Sequence, residues 1–279
     1  QTGELPNGAF FIAMEYLDGE TLGARIKRQG RMGAMALYIG AQMAAALSVA
    51  HRRNIIHRDL KPSNIILVKD PEGEKTFVKK LANVATEKIP AVKIIDFGIA
   101  KLSAEDQGEQ DFRTRTGTRL GTPVYMAPEQ CRGVAVTDRT DVYSLGIMLY
   151  QALAGRPPFT SQADGDVLAM HILVPPPPLR DSEPSVPEAV ANFIDLMLQK
   201  NAEDRPSMPE VELRLRELAA DPSWKPVEGK AQAASRGAPA ISDKTKQVIE
   251  APTAVARRDR APAVPHDPTP VTSIVPPTM

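Results

Sequence analysis

The sequence has a single cysteine, no excess of charge of either sign and no long uninterrupted apolar run. Cys131 has no second cysteine to pair with, so an intrachain disulfide framework is excluded and a reducing compartment is expected. We expect its thiol to behave as an ordinary small side chain. Lys plus Arg and Asp plus Glu both number 34, so no overall charge favours a nucleic acid or an anionic membrane. No nucleic-acid partner is expected.

The patterns of a membrane span and of a signal peptide are also missing. No window approaches the roughly 18 apolar residues of a transmembrane helix, and the N-terminal residues lack a basic start followed by an apolar run. We therefore expect a cytoplasmic chain without a membrane span, and leave open an anchor beyond Met279 in a longer parent protein. A hydrophobic content of 42% over 279 residues is enough to bury a core.

Apolar periodicity predicts several helices and a few short strands. The aromatic-rich run at residues 9–17 predicts a buried strand, and the Asp-Gly-Glu that follows predicts a turn. Residues 32–53 are rich in Ala, Leu and Met at helical spacing, which predicts a long and mostly buried helix. Its core is expected to include Met32, Met35 and Met43.

Two short strands are predicted further along the chain, at residues 65–68 and 92–95. The segment between them is long for a hairpin. Phe77, Leu81 and Val84 fall at helical spacing within it, which predicts a short helix packed on the surface.

The second half of the sequence predicts a helical body followed by a tail. Residues 138–155 predict a capped helix that is apolar on nearly all sides and therefore central, and two more helices are predicted at about 187–199 and 208–219. The polar stretch at 103–120 is expected to be mobile. Residues 220–279 are rich in Pro and Ala and predict a disordered linker or tail.

The stretch NIIHRDLKPSN, residues 54–64, concentrates charged and amide side chains between apolar residues. It fits the pattern H-R-D-L-x-x-x-N of the protein kinase catalytic loop. D-F-G follows at residues 96–98, directly after a predicted strand, and A-P-E follows at 127–129. With these motifs in this order, the chain resembles the eukaryotic-like, bacterial-type serine/threonine protein kinases. The resemblance covers residues 9–219, and it implies an α+β, protein-kinase-like fold composed mainly of the helical large lobe with the hinge strand.

Phosphoryl transfer from ATP needs positioning and charge neutralisation more than covalent chemistry, and the motif residues suit both needs. Asp59 is expected to accept the proton of the substrate hydroxyl, and Lys61 to neutralise charge on the γ-phosphate. Asn64 and Asp96 offer oxygen ligands to Mg²⁺. The resemblance makes Thr122 the residue that shapes the site for an aliphatic hydroxyl, so the expected partner is a protein with Ser or Thr at the modified position.

Other motif residues resemble those that support a kinase site. Asp141 resembles the aspartate that anchors the catalytic loop from the central helix. Glu129 and Arg205 resemble the pair that ties the activation segment to the late helices; a surface charge is the alternative for Arg205. His57, Phe97 and Gly98 complete the two motifs as structural residues.

The run MEYLDGETL at residues 14–22 resembles a kinase hinge. In this interpretation Met14 is the gatekeeper, the backbone groups of Glu15 and Leu17 hold adenine, and Ile66 forms an apolar floor. Residues 1–219 then form a kinase domain made of the hinge and the large lobe.

Most of the small lobe is absent from the sequence. A G-x-G-x-x-G-x-V loop, a V-A-I-K lysine and a helix with its partner glutamate are all missing, so the chain is expected to be a fragment truncated near the hinge. Asp59 and Asp96 are also 37 residues apart (96 − 59), where the family usually has about half that separation. The competing interpretation is a catalytically inactive, pseudokinase-like interaction module. Retention of Asp59, Lys61, Asn64 and Asp96 argues against it.

A regulatory site is predicted beside the catalytic loop. The guanidinium of Arg58 is suited to a phosphate, whose oxygens accept its hydrogen bonds bidentately. Thr118, three residues before Gly121, matches the position usually phosphorylated in the family, and Thr116 is the next choice. Phosphorylation is expected to order the loop against Arg58.

Overall fold

A computed structural model describes residues 2–68, 89–97 and 123–221, in which helices outnumber strands. The strands in these ranges are β1 (Thr2–Glu4), β2 (Phe10–Ile12), β3 (Gly19–Thr21), β4 (Ile65–Val68) and β5 (Ala91–Ile94). The α-helices are α1 (Leu22–Gln29), α2 (Ala34–His51), α3 (Pro128–Arg132), α4 (Asp138–Ala154), α5 (Asp164–Leu173), α6 (Leu179–Ser182), α7 (Glu188–Met197) and α8 (Met208–Ala219). Short 3-10 turns occur at Pro62–Asn64, Pro123–Tyr125 and Ala202–Asp204. The predicted α+β class is confirmed.

The strands form two small antiparallel sheets. β1 and β2 make a ribbon by themselves, whereas β4 lies between β3 and β5 in a three-stranded sheet. In the second sheet Ile66 lies opposite Thr21, and Ile65 lies opposite Ile94. The predictions of strands at 65–68 and 92–95 are confirmed to within one residue.

The prediction of a buried strand at residues 9–17 is wrong in length and in burial. The strand ends at Ile12, and large side chains both within it and after it are open to solvent: Phe10 is 85% exposed and Tyr16 is 88% exposed. An aromatic-rich run is buried only where a second layer of structure covers it. The described residues place no such layer over Phe10 and Tyr16.

The predicted helix at residues 32–53 is α2, and it packs mainly on α8 and also on α4. Leu37, Met43 and Leu47 are completely or almost completely buried, and each such side chain stabilises the fold by about 1.5–3 kcal/mol. Gly40 permits the close approach to α4, because a Cβ there would lie 2.8 Å from a methyl carbon of Leu149. Met32 is buried as predicted, whereas Met35 is only half-buried.

Helix α2 is also long and apolar enough to span a membrane by length and composition alone. This result corrects the expectation that no segment approaches such a span. In the fold, 56% of its 18 residues are buried against other elements. Its alanines and its larger aliphatic side chains give it the mean hydropathy of a span. The alanines and Gly40 are also small enough to allow close helix packing.

Helix α4 confirms the prediction of a central helix at 138–155. Thr137 caps its start by accepting a hydrogen bond from the backbone of Arg139, and Gly155 ends it in a left-handed conformation with φ of 80°. Nearly every residue along it is buried. Helices α7 and α8 confirm the two later predictions, and Ser207 with Glu210 forms a capping box at the start of α8.

Several elements were not predicted from the sequence, namely β1, β3, α1, α3, α5 and α6. The helix expected around Phe77, the polar stretch 103–120 and the linker or tail that begins near residue 220 lie almost entirely outside the described residues.

Candidate active site

The loop after α2 carries the residues of the H-R-D-L motif and returns the chain to the sheet. It passes through a residue with a positive φ, Arg58 at 64°, and closes with the 3-10 turn Pro62–Asn64 that leads into β4. A non-glycine residue in this left-handed region is held there at a cost by its surroundings. The backbone of the loop is therefore fixed by tertiary contacts rather than by its own preference.

Asp59 stands at the centre of a short polar network. The ammonium of Lys61 donates to its Oδ2 at 2.7 Å, and Nδ2 of Asn64 donates to its backbone oxygen at 3.0 Å and to Oδ2 at 3.4 Å. The Asp59 and Lys61 side chains are 36% and 37% exposed, so both are accessible to a substrate. The structure brings together three of the predicted site residues and places a partly exposed carboxylate beside a cation.

Asn64 and Asp96 lie at the same end of the β4–β5 hairpin. The backbone N–H of Ile95 donates to the backbone oxygen of Asn64 at 2.9 Å, and Asp96 follows directly as an exposed residue with φ of 57°. Nδ2 of Asn64 is directed at Asp59, so its Oδ1, which also accepts a 3.3 Å hydrogen bond from the Ser63 hydroxyl, is the amide atom that can serve as a cation ligand. One amide oxygen and one carboxylate are hard oxygen ligands, which fits a magnesium ion that keeps waters and substrate phosphates in its shell. The part of the chain that the structure describes contains no cluster of three or more His, Cys, Asp or Glu side chains suited to a metal.

His57 connects the two motifs. Its Nδ1 accepts a hydrogen bond from the backbone of Asp59 at 3.3 Å, and its Nε2 donates to the backbone oxygen of Ile95 at 3.0 Å. Its ring also packs on Phe97, with centroids 4.7 Å apart. This arrangement holds the Asp59 and Asp96 segments side by side. Gly98 lies outside the described residues.

Asp141 of α4 anchors the catalytic loop, the segment that carries His57, Arg58 and Asp59. Its carboxylate, 1% exposed, accepts hydrogen bonds from the backbone N–H groups of His57 at 2.9 Å and Arg58 at 3.0 Å. Nε2 of His51, at the end of α2, lies 2.8 Å from the same carboxylate. A buried carboxylate with several donors is a rigid anchor. His51 was not singled out from the sequence.

Glu129 and Arg205 form a buried, two-pronged ion pair with both distances between 2.8 and 2.9 Å. Burial by itself raises the pKa of the Glu129 carboxyl, but the hydrogen bonds and charge of Arg205 outweigh it, so this pKa lies below its ordinary value. The Arg205 side chain has 0% exposure, which excludes the surface-charge alternative. The guanidinium also donates to the backbone oxygens of Gln199 and Lys200, so α3 is tied to the end of α7.

Gln130, the next residue of α3, contacts the catalytic loop directly and was not predicted. Its Nε2 donates to the backbone oxygen of Arg58 at 2.7 Å, and its Oε1 accepts from the backbone of Ala127 at 3.0 Å. No sequence motif marks this position, because a glutamine after A-P-E acquires its partner only through the fold.

A second polar cluster lies beside the turn Pro123–Tyr125 and was also missed. His171 is completely buried, and its Nδ1 lies 3.0 Å from the hydroxyl of Tyr143. Lys200 donates to the backbone oxygen of His171 at 2.8 Å and lies 4.6 Å from the centroid of the Phe159 ring. Burial, followed by the charge of Lys200, lowers the pKa of His171 to about 3. Burial, followed by the charge of Arg205, lowers the pKa of Lys200 to about 8.

The predicted hinge residues lie in the open, exposed part of the chain. Met14 is 72% exposed, Glu15 is exposed and Leu17 is half-buried. Ile66 is half-buried on β4. Their nucleotide-binding roles stay predictions, as do those of Thr116, Thr118 and Thr122, which lie outside the described residues.

Cys131 behaves as the sequence predicts. It is a free, half-buried thiol. Burial, followed by the nearby charge of Glu129, raises its pKa to about 12. A thiol with so high a pKa is a poor nucleophile at neutral pH.

Comparisons with known proteins agree with this geometry. Residues 5–213 match the sequence profile of the protein kinase domain. The chain is 40% identical over 195 residues to the serine/threonine-protein kinase Pkn1 of Myxococcus xanthus, covering 70% of this chain and 25% of that protein. It is 38% identical over 192 residues to the serine/threonine-protein kinase PknA of Mycobacterium tuberculosis, covering 68% of this chain and 38% of that protein.

A third relative is the DNA damage-responsive serine/threonine-protein kinase RqkA of Deinococcus radiodurans, at 36% identity over 219 residues, 78% of this chain and 29% of that protein. The chain thus spans less than two fifths of the length of each of these relatives. Among solved structures, a mutant of the Mycobacterium tuberculosis PknI kinase domain is similar in fold, with a TM-score of 0.54 and 24% identity over 78% of this chain and 68% of that one. The chain therefore belongs to the protein kinase family, among the bacterial-type serine/threonine kinases.

Proposed function

We propose that the protein transfers the γ-phosphate of ATP to a serine or threonine hydroxyl of a protein substrate. The observation that carries the proposal is the network in which Lys61 and Asn64 hold the exposed carboxylate of Asp59. A base held in this way needs no reorganisation when the substrate hydroxyl arrives. The cation of Lys61 lies 2.7 Å from the base, so it can pair with an oxygen of the phosphate that is transferred to the hydroxyl.

Mg·ATP is the phosphate donor in this proposal, since the protein kinase family uses ATP with a divalent metal. Asn64 and Asp96 are the residues that would hold the metal. When bound there, such a metal would supply neutralisation of the phosphate charge. The protein's own part is to keep these two oxygen ligands beside Asp59, which the β4–β5 hairpin and His57 do together.

The choice of an aliphatic hydroxyl rests on the sequence around the site. Lys61, two residues after Asp59, and Thr122, before the turn Pro123–Tyr125, match the serine/threonine pattern. The three curated relatives described above are named serine/threonine kinases, which supports the same substrate class.

The test is phosphate transfer from radiolabelled Mg·ATP by the full-length gene product, to itself and to a generic Ser/Thr protein substrate. Asp59→Asn is expected to lower the transfer rate by several orders of magnitude with nearly unchanged nucleotide affinity, because the base acts in the transition state. Asp164→Asn, the same change at an exposed position of α5, is the control and should retain full activity. Full activity of Asp59→Asn would contradict the role of the base, and an inactive but folded wild type would favour the interaction-module alternative.

A further inference from the structure

The peptide group that joins Arg58 to Asp59 is held at both of its polar ends. Its oxygen accepts a hydrogen bond from Nε2 of Gln130 at 2.7 Å, and its N–H donates to Nδ1 of His57 at 3.3 Å. The preceding N–H, that of Arg58, donates to Asp141. The Cα of Asp59 is bonded to the nitrogen of this peptide group, so the direction of the Asp59 carboxylate depends on these contacts.

Gln130 is suited to this position because one amide serves two main-chain partners of opposite kind. The N–H of Ala127 can only donate and the carbonyl of Arg58 can only accept, so these partners fix the orientation of the amide. Gln130 is 9% exposed, and loss of either contact would leave a largely buried polar group without that partner. Glutamate and leucine cannot supply both bonds.

The helix that carries Gln130 is itself immobilised. Its neighbour Glu129 is fixed by the two-pronged ion pair with Arg205 and by a 2.8 Å hydrogen bond from Thr140. Gln130, which follows Glu129 directly, is therefore held in place by α3, and its contact with the catalytic loop depends on the position of that helix. The φ of 64° at Arg58 makes such support necessary, because this conformation is disfavoured without it.

We propose that Gln130 is a positioning residue for the catalytic base: through the carbonyl of Arg58 it sets the peptide plane that aims Asp59, and it thereby couples α3 and its Glu129–Arg205 pair to phosphoryl transfer. The inference rests on the proposed kinase activity. Gln130 touches neither substrate nor nucleotide in this scheme and acts only through the loop.

The deciding variant is Gln130→Glu in the full-length gene product. It keeps the size of the side chain and the acceptor for Ala127 but places an oxygen against the oxygen of Arg58. The single-turnover rate of phosphate transfer is expected to fall by about 10- to 100-fold, since a small misplacement of the base is costly, while the KM for ATP changes little. Gln130→Leu should show a similar loss and serves as the second variant if the first does not fold.

Gln42→Leu is the matched control. Gln42 also bridges two main-chain groups, donating to the oxygen of Pro90 at 3.0 Å and accepting from the N–H of Val92 at 3.2 Å, but it does not contact the catalytic loop peptide. It should lose stability comparable to that lost by Gln130→Leu and keep most of the transfer rate. Hydrogen–deuterium exchange of the peptide spanning residues 56–60 should become faster in the Gln130 variants and stay unchanged in Gln42→Leu.

The pH profile separates positioning from a general structural effect. As the pH falls, the introduced carboxyl of Gln130→Glu becomes protonated and can again donate to the oxygen of Arg58, so the ratio of variant to wild-type rate should rise. His57, Arg58, Asp59, Lys61 and Glu129 are common to both proteins and cancel in this ratio. An inactive wild type would refute the proposed function. An active wild type with equally active Gln130 variants and unchanged exchange at residues 56–60 would refute the role of Gln130 alone, and so would a rate ratio that does not change with pH.

Discussion

Acid should destabilise this fold through one buried imidazole, that of His171. The ring has no exposure, its Nδ1 lies 3.0 Å from the hydroxyl of Tyr143, and the ammonium of Lys200 donates to the backbone oxygen of the same histidine. Protonation would place a second positive charge in this cluster without water to solvate it. The folded state therefore resists protonation of a group that the unfolded chain protonates readily.

The magnitude follows from the two pKa values of His171, an ordinary 6.5 in the unfolded chain and about 3 in the fold. The folded value is the lower one, so the stabilisation is complete above the unfolded pKa and is lost as the pH falls towards the folded pKa. Between pH 7 and pH 5 the loss is about 2 kcal/mol in the free energy of unfolding. Any folded pKa below about 4 gives the same result, because the native ring is then neutral throughout this range. Lys200, with a pKa of about 8, stays charged over the same range.

The assay is equilibrium urea unfolding at a series of pH values, compared between the wild type and His171→Asn. The variant should be less stable at pH 7 but should lose about 2 kcal/mol less than the wild type on going to pH 5. Ile194→Val, a buried change without a titrating group, is the control: it should cost roughly 0.5–1.5 kcal/mol at every pH and keep the wild-type slope. If wild type and His171→Asn show the same dependence on pH, the buried neutral imidazole is not the source of acid sensitivity.

Two further predictions concern the segment that runs from D-F-G through α3. Arg205→Met leaves the buried carboxylate of Glu129 without its cation, so thermal or urea unfolding should show a loss of about 3–5 kcal/mol in the free energy of unfolding. Adding Glu129→Leu to this variant should recover part of that loss. A double mutant whose loss equals the sum of the two single losses would contradict the pairing. Ala substitutions at Thr116 and Thr118, singly and together, should remove the phosphate that mass spectrometry detects in the active full-length enzyme, and should lower its activity. Full activity of the double variant would exclude the proposed ordering of the loop by a phosphothreonine bound to Arg58.

Local patterns predicted those elements whose signals are local. α4, α7 and α8 each combine an apolar face with a start or stop signal, and the observed helices lie within a few residues of the predicted ones. Helix α1 was missed because its sequence, LGARIKRQ, is short and buries only Leu22 and Ile26. The prediction of a buried strand at residues 9–17 failed for a different reason, because the burial of a strand depends on other elements that its own sequence does not encode.

The same distinction applies to the site. The H-R-D-L-x-x-x-N motif assigned Asp59, Lys61 and Asn64 to one site, and they meet in the structure because all three lie within one short loop. Gln130 and His171 obtain their roles from partners that are 72 and 28 residues away in sequence, so a single sequence without its fold holds no signal for them. Arg205 was found only because a family pattern supplied the distant partner that the spacing of residues does not reveal.

The polar residues in the first half of α4 explain why a helix apolar on nearly all sides can also organise an active site. Thr140 donates to Glu129, Asp141 receives the backbone of the catalytic loop, Tyr143 contacts His171, and Ser144 donates to the backbone oxygen of Tyr125. Each of these groups is buried, and each would carry a desolvation cost without its partner. Because one rigid helix presents all four, the catalytic loop, α3, α5 and the turn at Pro123–Tyr125 are held in a common frame. Loops held in this way can keep a strained residue such as Arg58 next to the base, which separate flexible supports would not do.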